Sequence, residues 1–296
     1  SFLTNSLVGS TQRFLSICRG KGDIEQQKVL FSNSVLLHVI IGSIILVILE
    51  SLTGWLFGGF LNISPGREHA AAVTYQIVVF MVYISFISAP YKALLVSREN
   101  IVYISIIELF DGIAKVVLVL ILRYITYDKL IAYSWIMFSI SSFNLIALIS
   151  YPAIKYEECI FPKVRYLTKK YLVELSRFTG WITYSSVCIA LRNQGVSIVL
   201  NKFRNTAINA AYGIGMQITG MVSFVSTSLS NAIAPQMMAA EGGNDRHRVI
   251  RLAEMQCKFS YLLMALVGIP TMFEMASILK LTGTFNDTKA VTIQKN

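Results

Sequence analysis

Apolar residues fall in long runs with short polar breaks between them. The runs cover 1–19, 33–58, 74–97, 101–125, 129–154, 178–201, 206–238 and 251–281. Each reaches or exceeds, within a residue, the roughly 20 residues a helix needs to cross a bilayer's hydrocarbon core. None alternates with period two, so closed barrels are disfavoured and the pattern predicts eight helices and no strands. The fold class expected is all-α, a polytopic helical membrane protein. The opening SFLTNSLVGSTQRFLSICRG reads as the second half of a span rather than a leader, so the sequence is expected to begin within a longer protein.

Composition agrees with a bilayer setting. Hydrophobic residues make up 54% and charged ones 14%, with a mean hydropathy of +0.60. Soluble domains hold roughly 45–50% apolar and about 25% charged residues. Alternate connections differ sharply in basic content. Those after the first, third, fifth and seventh runs, taken with the helix ends that flank them, hold sixteen Lys and Arg residues, against five in the others. Basic loops face the cytoplasm, so the first run is expected to point inward and the intact N-terminus to lie in the cytoplasm. This topology also accounts for most of the net charge of +10, which therefore implies no nucleic-acid partner. Cys18, Cys159, Cys188 and Cys257 lack metal-like or CxxC spacing and are read as reduced bystanders. No HExxH, GxSxG or phosphate-loop motif occurs, so no enzyme activity, metal or cofactor is expected.

The longest connection, KYEECIFPKVRYLTKKYLVELSRF at 155–178, is basic and aromatic. Tyr166, Leu167, Tyr171, Leu172 and Leu175 are spaced for an amphipathic helix on the inner leaflet, a hinge between two lobes. Two lobes are also suggested by a weak internal repeat. The first run ends in Gly-Lys-Gly-Asp at 20–23 and the seventh in Gly-Gly-Asn-Asp at 242–245, and each turn leads through a charged segment into an apolar span. Parallel repeats of this kind are transporter architecture.

Three segments carry a family resemblance: STQRFLSICRGKGDIEQQKVLFSNSVLLHVIIG, ISAPYKALLVSRENIVYISIIELFDGIAKVVLV and APQMMAAEGGNDRHRVIRLAEMQ. They resemble bacterial polysaccharide and lipopolysaccharide flippases of the oligosaccharidyl-lipid exporter superfamily (MOP), which includes the MATE drug exporters. The resemblance implies a two-lobe MATE-like fold of twelve or more helices. The lobes would be 1–154, lacking its first helix, and the start of the second at 178–281. A linker at 155–177 would join them, and a divergent polar tail would occupy 282–296. It implies a flippase moving undecaprenyl-diphosphate-linked oligosaccharide across the bacterial inner membrane, with lipid bilayer and a proton or sodium ion as further partners. A MATE-type multidrug exporter is the nearest alternative. A membrane-embedded polysaccharide polymerase or ligase ranks third, since the outer connections are short and poor in catalytic residues.

Candidate binding residues are polar groups at membrane depth, each costing about 2.5–3.5 kcal/mol or more at a helix centre. Glu108, Asp111 and Lys115 are spaced i, i+3, i+7 on one helix face. They form either a charged cavity wall or an Asp111–Lys115 pair that neutralises itself. Arg192, with Asn193 and Gln194, lies mid-span and offers a planar fork for phosphate, or pairs with Glu108 or Asp111. Gln12 and Arg13 belong to the family-like TQRF, although Arg13 is also placed to snorkel. His38 on an apolar face reads as a satisfied core histidine. Pro90, Pro235 and Pro270 each remove a helical hydrogen bond and are candidate kinks or hinges.

Overall fold

The computed structural model describes residues 2–60, 66–124, 128–159, 164–203 and 206–274. The expected tail at 282–296, the end of the eighth predicted run and the end of the fourth lie outside them. Among the described residues there are eight α-helices and no strand: α1 (Phe2–Gly20), α2 (Ile24–Trp55), α3 (Glu68–Ser97), α4 (Ile101–Leu122), α5 (Lys129–Lys155), α6 (Lys169–Phe203), α7 (Thr206–Gly242) and α8 (Arg246–Phe273). A π-helical turn, Leu56–Phe60, extends α2, and a 3-10 turn, Val164–Tyr166, precedes α6. Four helical stretches are long and apolar enough to cross a membrane by composition alone: Ile24–Gly58, Glu68–Ser97, Lys129–Lys155 and Arg246–Phe273.

Several helices start earlier than their apolar runs. At α2, the Asp23 side chain accepts from the Gln26 amide at 2.9 Å, capping a polar first turn that the apolar pattern leaves out. Three turns at the basic end of the helices share one device, a residue in the left-handed region: Gly22 (φ 72), Glu99 (φ 60) and Asn244 (φ 58). After α3 the Asn100 amide donates to the Leu95 carbonyl, and after α7 the Asp245 amide donates to the Ala240 carbonyl. These are matching Schellman closures.

Among the described residues of 155–178 there is no separate amphipathic helix. The chain crosses α2 through the 3-10 turn, and residues 169–177 become the first turns of α6. Asn33, fully buried in α2, enforces this path. Its Nδ2 donates to the Tyr166 carbonyl at 2.8 Å and its Oδ1 accepts from the Thr168 amide at 3.0 Å. One amide thus satisfies both edges of the passing backbone, which a helix there would have satisfied internally.

The helices form two compact units. The first holds Ser1–Leu191 with Met238–Asp245, and the second holds Arg192–Met237 and the chain from Arg246. In the first unit, Leu15, Leu30, Phe31, Leu94, Leu95 and Leu175 form a core at the basic end. Phe31 meets Tyr91 edge-on at 5.5 Å. A seam of hydroxyls runs along α1: Ser10 with Thr179 at 2.7 Å, Thr11 with Ser34 at 2.7 Å and Ser6 with Ser186 at 3.2 Å. Small polar side chains let membrane helices approach closely and bond across the gap. The closest approach is between backbones. A Cβ on Gly20 would lie 1.8 Å from the Ala239 carbonyl oxygen, and one on Gly242 would lie 2.0 Å from that of Ile17. The two turns of the sequence repeat therefore meet each other.

The outer face of α4 exposes Val102, Leu109, Ile113, Val116 and Leu120. Such a continuous apolar face suits lipid as its solvent. In the second unit α8 reaches α7 through Gln256, which donates to Ser230 at 2.9 Å. Pro90, Pro235 and Pro270 lie inside α3, α7 and α8, each of which continues past its proline, and Pro152 lies likewise inside α5.

Candidate functional site

Three polar places stand out. The first is on α4, where the intervals between Glu108, Asp111 and Lys115 place them on one face. Lys115 Nζ is 2.5 Å from Asp111 Oδ2, forming the intrahelical pair. Lys92, reaching over from α3, donates to Glu108 Oε1 at 2.6 Å. Asn144 of α5 donates to Asp111 Oδ1 at 2.8 Å. Lys92, Glu108, Asp111 and Asn144 line a recess of about 180 Å³ floored by Ile104, Ile107 and Leu148. Two cations thus answer two carboxylates, and the recess has no excess charge to offer an ion. Sequence reasoning counted Lys92 as a loop charge. Its place five residues inside the end of α3, next to the core residue Tyr91, was the available signal.

The second place is mid-way along α6. Arg192 is exposed, and its Nε and Nη2 both lie 3.4 Å from Asn193 Oδ1, long contacts with a neutral neighbour. No carboxylate pairs with it among the described residues. Glu108 and Asp111, the alternative partners read from the sequence, are paired within the first unit with Lys92 and Lys115. Asn193 is half-buried and Gln194 exposed, so the fork is flanked by amides rather than acids.

The third place lies at the basic end of the first unit. A cavity of about 560 Å³ is lined there by Arg13, Lys21, Lys170 and Arg177, with Glu174 the one carboxylate in its wall. Aromatic side chains complete it: Phe14, Tyr171, Phe178 and Trp181. The Arg13 guanidinium lies 4.4 Å above the Phe178 ring, and Phe14 meets that ring edge-on at 5.6 Å. Arg13 is exposed and lies over the Phe178 ring at the cavity wall. Gln12 is half-buried on α1 and does not line the cavity.

Other polar groups are structural. Glu158 is 1% exposed and ion-paired with Arg98, whose guanidinium lies 5.3 Å from the Tyr156 ring. Arg19 joins Glu99 at 2.9 Å and the Ser97 carbonyl at 2.7 Å. His38 differs from the expected satisfied core histidine. Its Nδ1 lies 2.7 Å from the Ser34 carbonyl, but its Nε2 is buried without a partner.

The chain matches the model of a family described as polysaccharide biosynthesis protein over residues 21–240. No curated protein sequence matches it. Among solved structures, a MATE transporter in complex with MaL6 superposes with a TM-score of 0.83 at 13% identity, covering 98% of this chain and 65% of that one. A MOP superfamily transporter from Pyrococcus furiosus, whose binding pocket is described as having reverse polarity, gives 0.79 at 12% identity, covering 97% and 63%. An outward-facing multidrug resistance MATE transporter gives 0.80 at 13%, covering 95% and 62%. The chain thus spans under two thirds of the length of these transporters. At such identities the likeness establishes the fold, that of MATE and MOP transporters, while the family match establishes descent. The chain is a member of the polysaccharide biosynthesis protein family, built on the helical fold of the MOP superfamily.

Proposed function

We propose that the protein is a flippase that carries an undecaprenyl-diphosphate-linked oligosaccharide across the bacterial inner membrane for surface polysaccharide synthesis. The observation that carries this reading is Arg192, an exposed cation on α6 that has amide neighbours and pairs with no acid among the described residues. An unneutralised guanidinium in a span is costly, and it is retained where it meets an anion or water. A diphosphate matches its fork with two parallel charge-assisted hydrogen bonds. The basic end of the helices is the cytoplasmic end in this reading, with the intact N-terminus inside, because Lys and Arg retain loops on that side. The lobes at 1–154 and 178–281 would alternate access about the linker at 155–177, with a proton or sodium ion as driving partner.

An exporter of organic cations is the second reading, and the MATE fold favours it. It needs an acid open to substrate, whereas Glu108 and Asp111 are answered by Lys92 and Lys115. The reversed pocket polarity of the Pyrococcus furiosus protein supports the principle that this fold changes cargo with the sign of its charges.

The test is complementation of a flippase-deficient strain with the intact gene at matched membrane abundance. Arg192→Ala is expected to lower surface polysaccharide at least ~10-fold, the loss of one charged hydrogen-bond pair, with Arg192→Lys intermediate. Unchanged polysaccharide in Arg192→Ala together with resistance to cationic drugs in the parent would replace the flippase reading with the exporter.

A further inference from the structure

Six ion pairs are described in the protein, and none uses the cations of the cavity at the basic end. Lys28, Lys92, Lys115, Arg19, Arg67 and Arg98 each have a carboxylate; among the described residues Arg13, Lys21, Lys170 and Arg177 pair with none, although Glu174 shares their wall. Four like charges brought together around one hollow repel each other, so the folded chain raises a positive potential there that a bound anion would relieve. The surroundings are built to keep it. The Phe178 ring, 4.4 Å from the Arg13 guanidinium carbon, holds that cation at the wall without neutralising its charge. Gln26 Nε2 donates to the Tyr171 hydroxyl at 2.6 Å, fixing another wall.

Size and setting narrow the ligand class. About 560 Å³ is ample for a phosphate with a small polar substituent, and lies in the range of small-molecule sites. Leu30, Ile17 and the aromatic rings give the hollow an apolar side next to its cations, the pairing of surfaces that a lipid presents where head group meets chain.

We propose that this cavity binds the phosphate-bearing head group of an anionic lipid, independently of Arg192. That the lipid belongs to the inner leaflet rests on the orientation given under Proposed function. The chemistry of the site does not. An anionic phospholipid and an isoprenoid diphosphate carrier share the phosphate and the adjoining chain.

The experiment measures binding of dihexanoylphosphatidylglycerol and of farnesyl diphosphate to the purified full chain in uncharged detergent, with dihexanoylphosphatidylcholine as the zwitterionic comparator. The double variant Arg13→Gln/Arg177→Gln is expected to bind at least one anionic probe roughly tenfold more weakly than the parent, since each basic residue near a lipid surface adds a similar increment. Glu108→Gln on α4 should bind as the parent does. Loss confined to phosphatidylglycerol would identify a bulk-lipid site, and loss confined to farnesyl diphosphate a carrier-lipid site. Both support the proposal. Affinities within twofold of the parent for both probes, or phosphatidylcholine bound as tightly as either, would overturn it. Should that double variant lose its helical circular dichroism, Lys21→Gln/Lys170→Gln at the rim is measured against the same criteria. Arg192→Ala is expected to lower surface polysaccharide without weakening the binding of phosphatidylglycerol, so the two proposals fail separately.

Discussion

Cys159 sits at the end of the fifth helix's connection, half-buried beside Glu158. Burial first, and then the negative charge of Glu158, push its thiol up to about 12 from an ordinary 9.0. The thiolate is the reactive form, so at pH 8 its population falls about a thousandfold on folding. Maleimide labelling at pH 8 is expected to leave Cys159 unmodified in the native protein and to modify it rapidly once the chain is unfolded in dodecyl sulfate. Equal rates in the two states would show that the thiol is neither buried nor shielded. The sign for stability follows from the same shift. A raised thiol pKa favours the folded state at neutral pH, and this contribution disappears as pH climbs from about 9 towards 12. The neighbouring Arg98–Glu158 pair explains why a carboxylate tolerates 1% exposure here: its partner is a guanidinium that also faces the Tyr156 ring.

Among the elements, the contact of α1 with the end of α7 is the most sharply defined. Gly20 and Gly242 each face a carbonyl of the other helix at a separation no side chain can enter. Gly20→Ala is expected to destabilise the protein by about 1–3 kcal/mol through forced separation. Gly9→Ala, with nothing within 4 Å, should be neutral or stabilising by about 0.5–1 kcal/mol through helix propensity. Thermal unfolding in detergent distinguishes the two, and a Gly20→Ala melting temperature equal to that of Gly9→Ala would contradict the close approach. The presence of these helices was legible in the sequence, because apolar length is a local property. Their starts were less legible, since a polar first turn capped by Asp23 reads as loop. The path of 164–168 was not legible at all, as it depends on Asn33, more than a hundred residues earlier. The candidate sites divide the same way. The α4 intervals allowed the Asp111–Lys115 pair and Arg13 stood out as a candidate, while Lys92, Lys21, Lys170 and Arg177 each read alone as a topological charge and acquired meaning only when brought together.

For the molecule as a whole, the ion pairs described fall on the scaffold, and the cations proposed to bind ligand lie outside them. The neutralised recess on α4 also bears on how the chain reaches the membrane in the first place. Taken alone, α4 carries three ionised groups into hydrocarbon, at about 2.5–3.5 kcal/mol each on an insertion scale. Asp111 and Lys115 travel as an internal pair, but the partner of Glu108 is Lys92, on the helix synthesised just before it. The ribosome-bound translocon should therefore retain α3 until α4 emerges and release the two as a hairpin. In a glycosylation-mapped insertion assay, α4 alone is expected to insert poorly, α3–α4 together efficiently, and α3–α4 bearing Lys92→Ala in between. Efficient solitary insertion of α4 would remove any role for Lys92 as its chaperone during biogenesis.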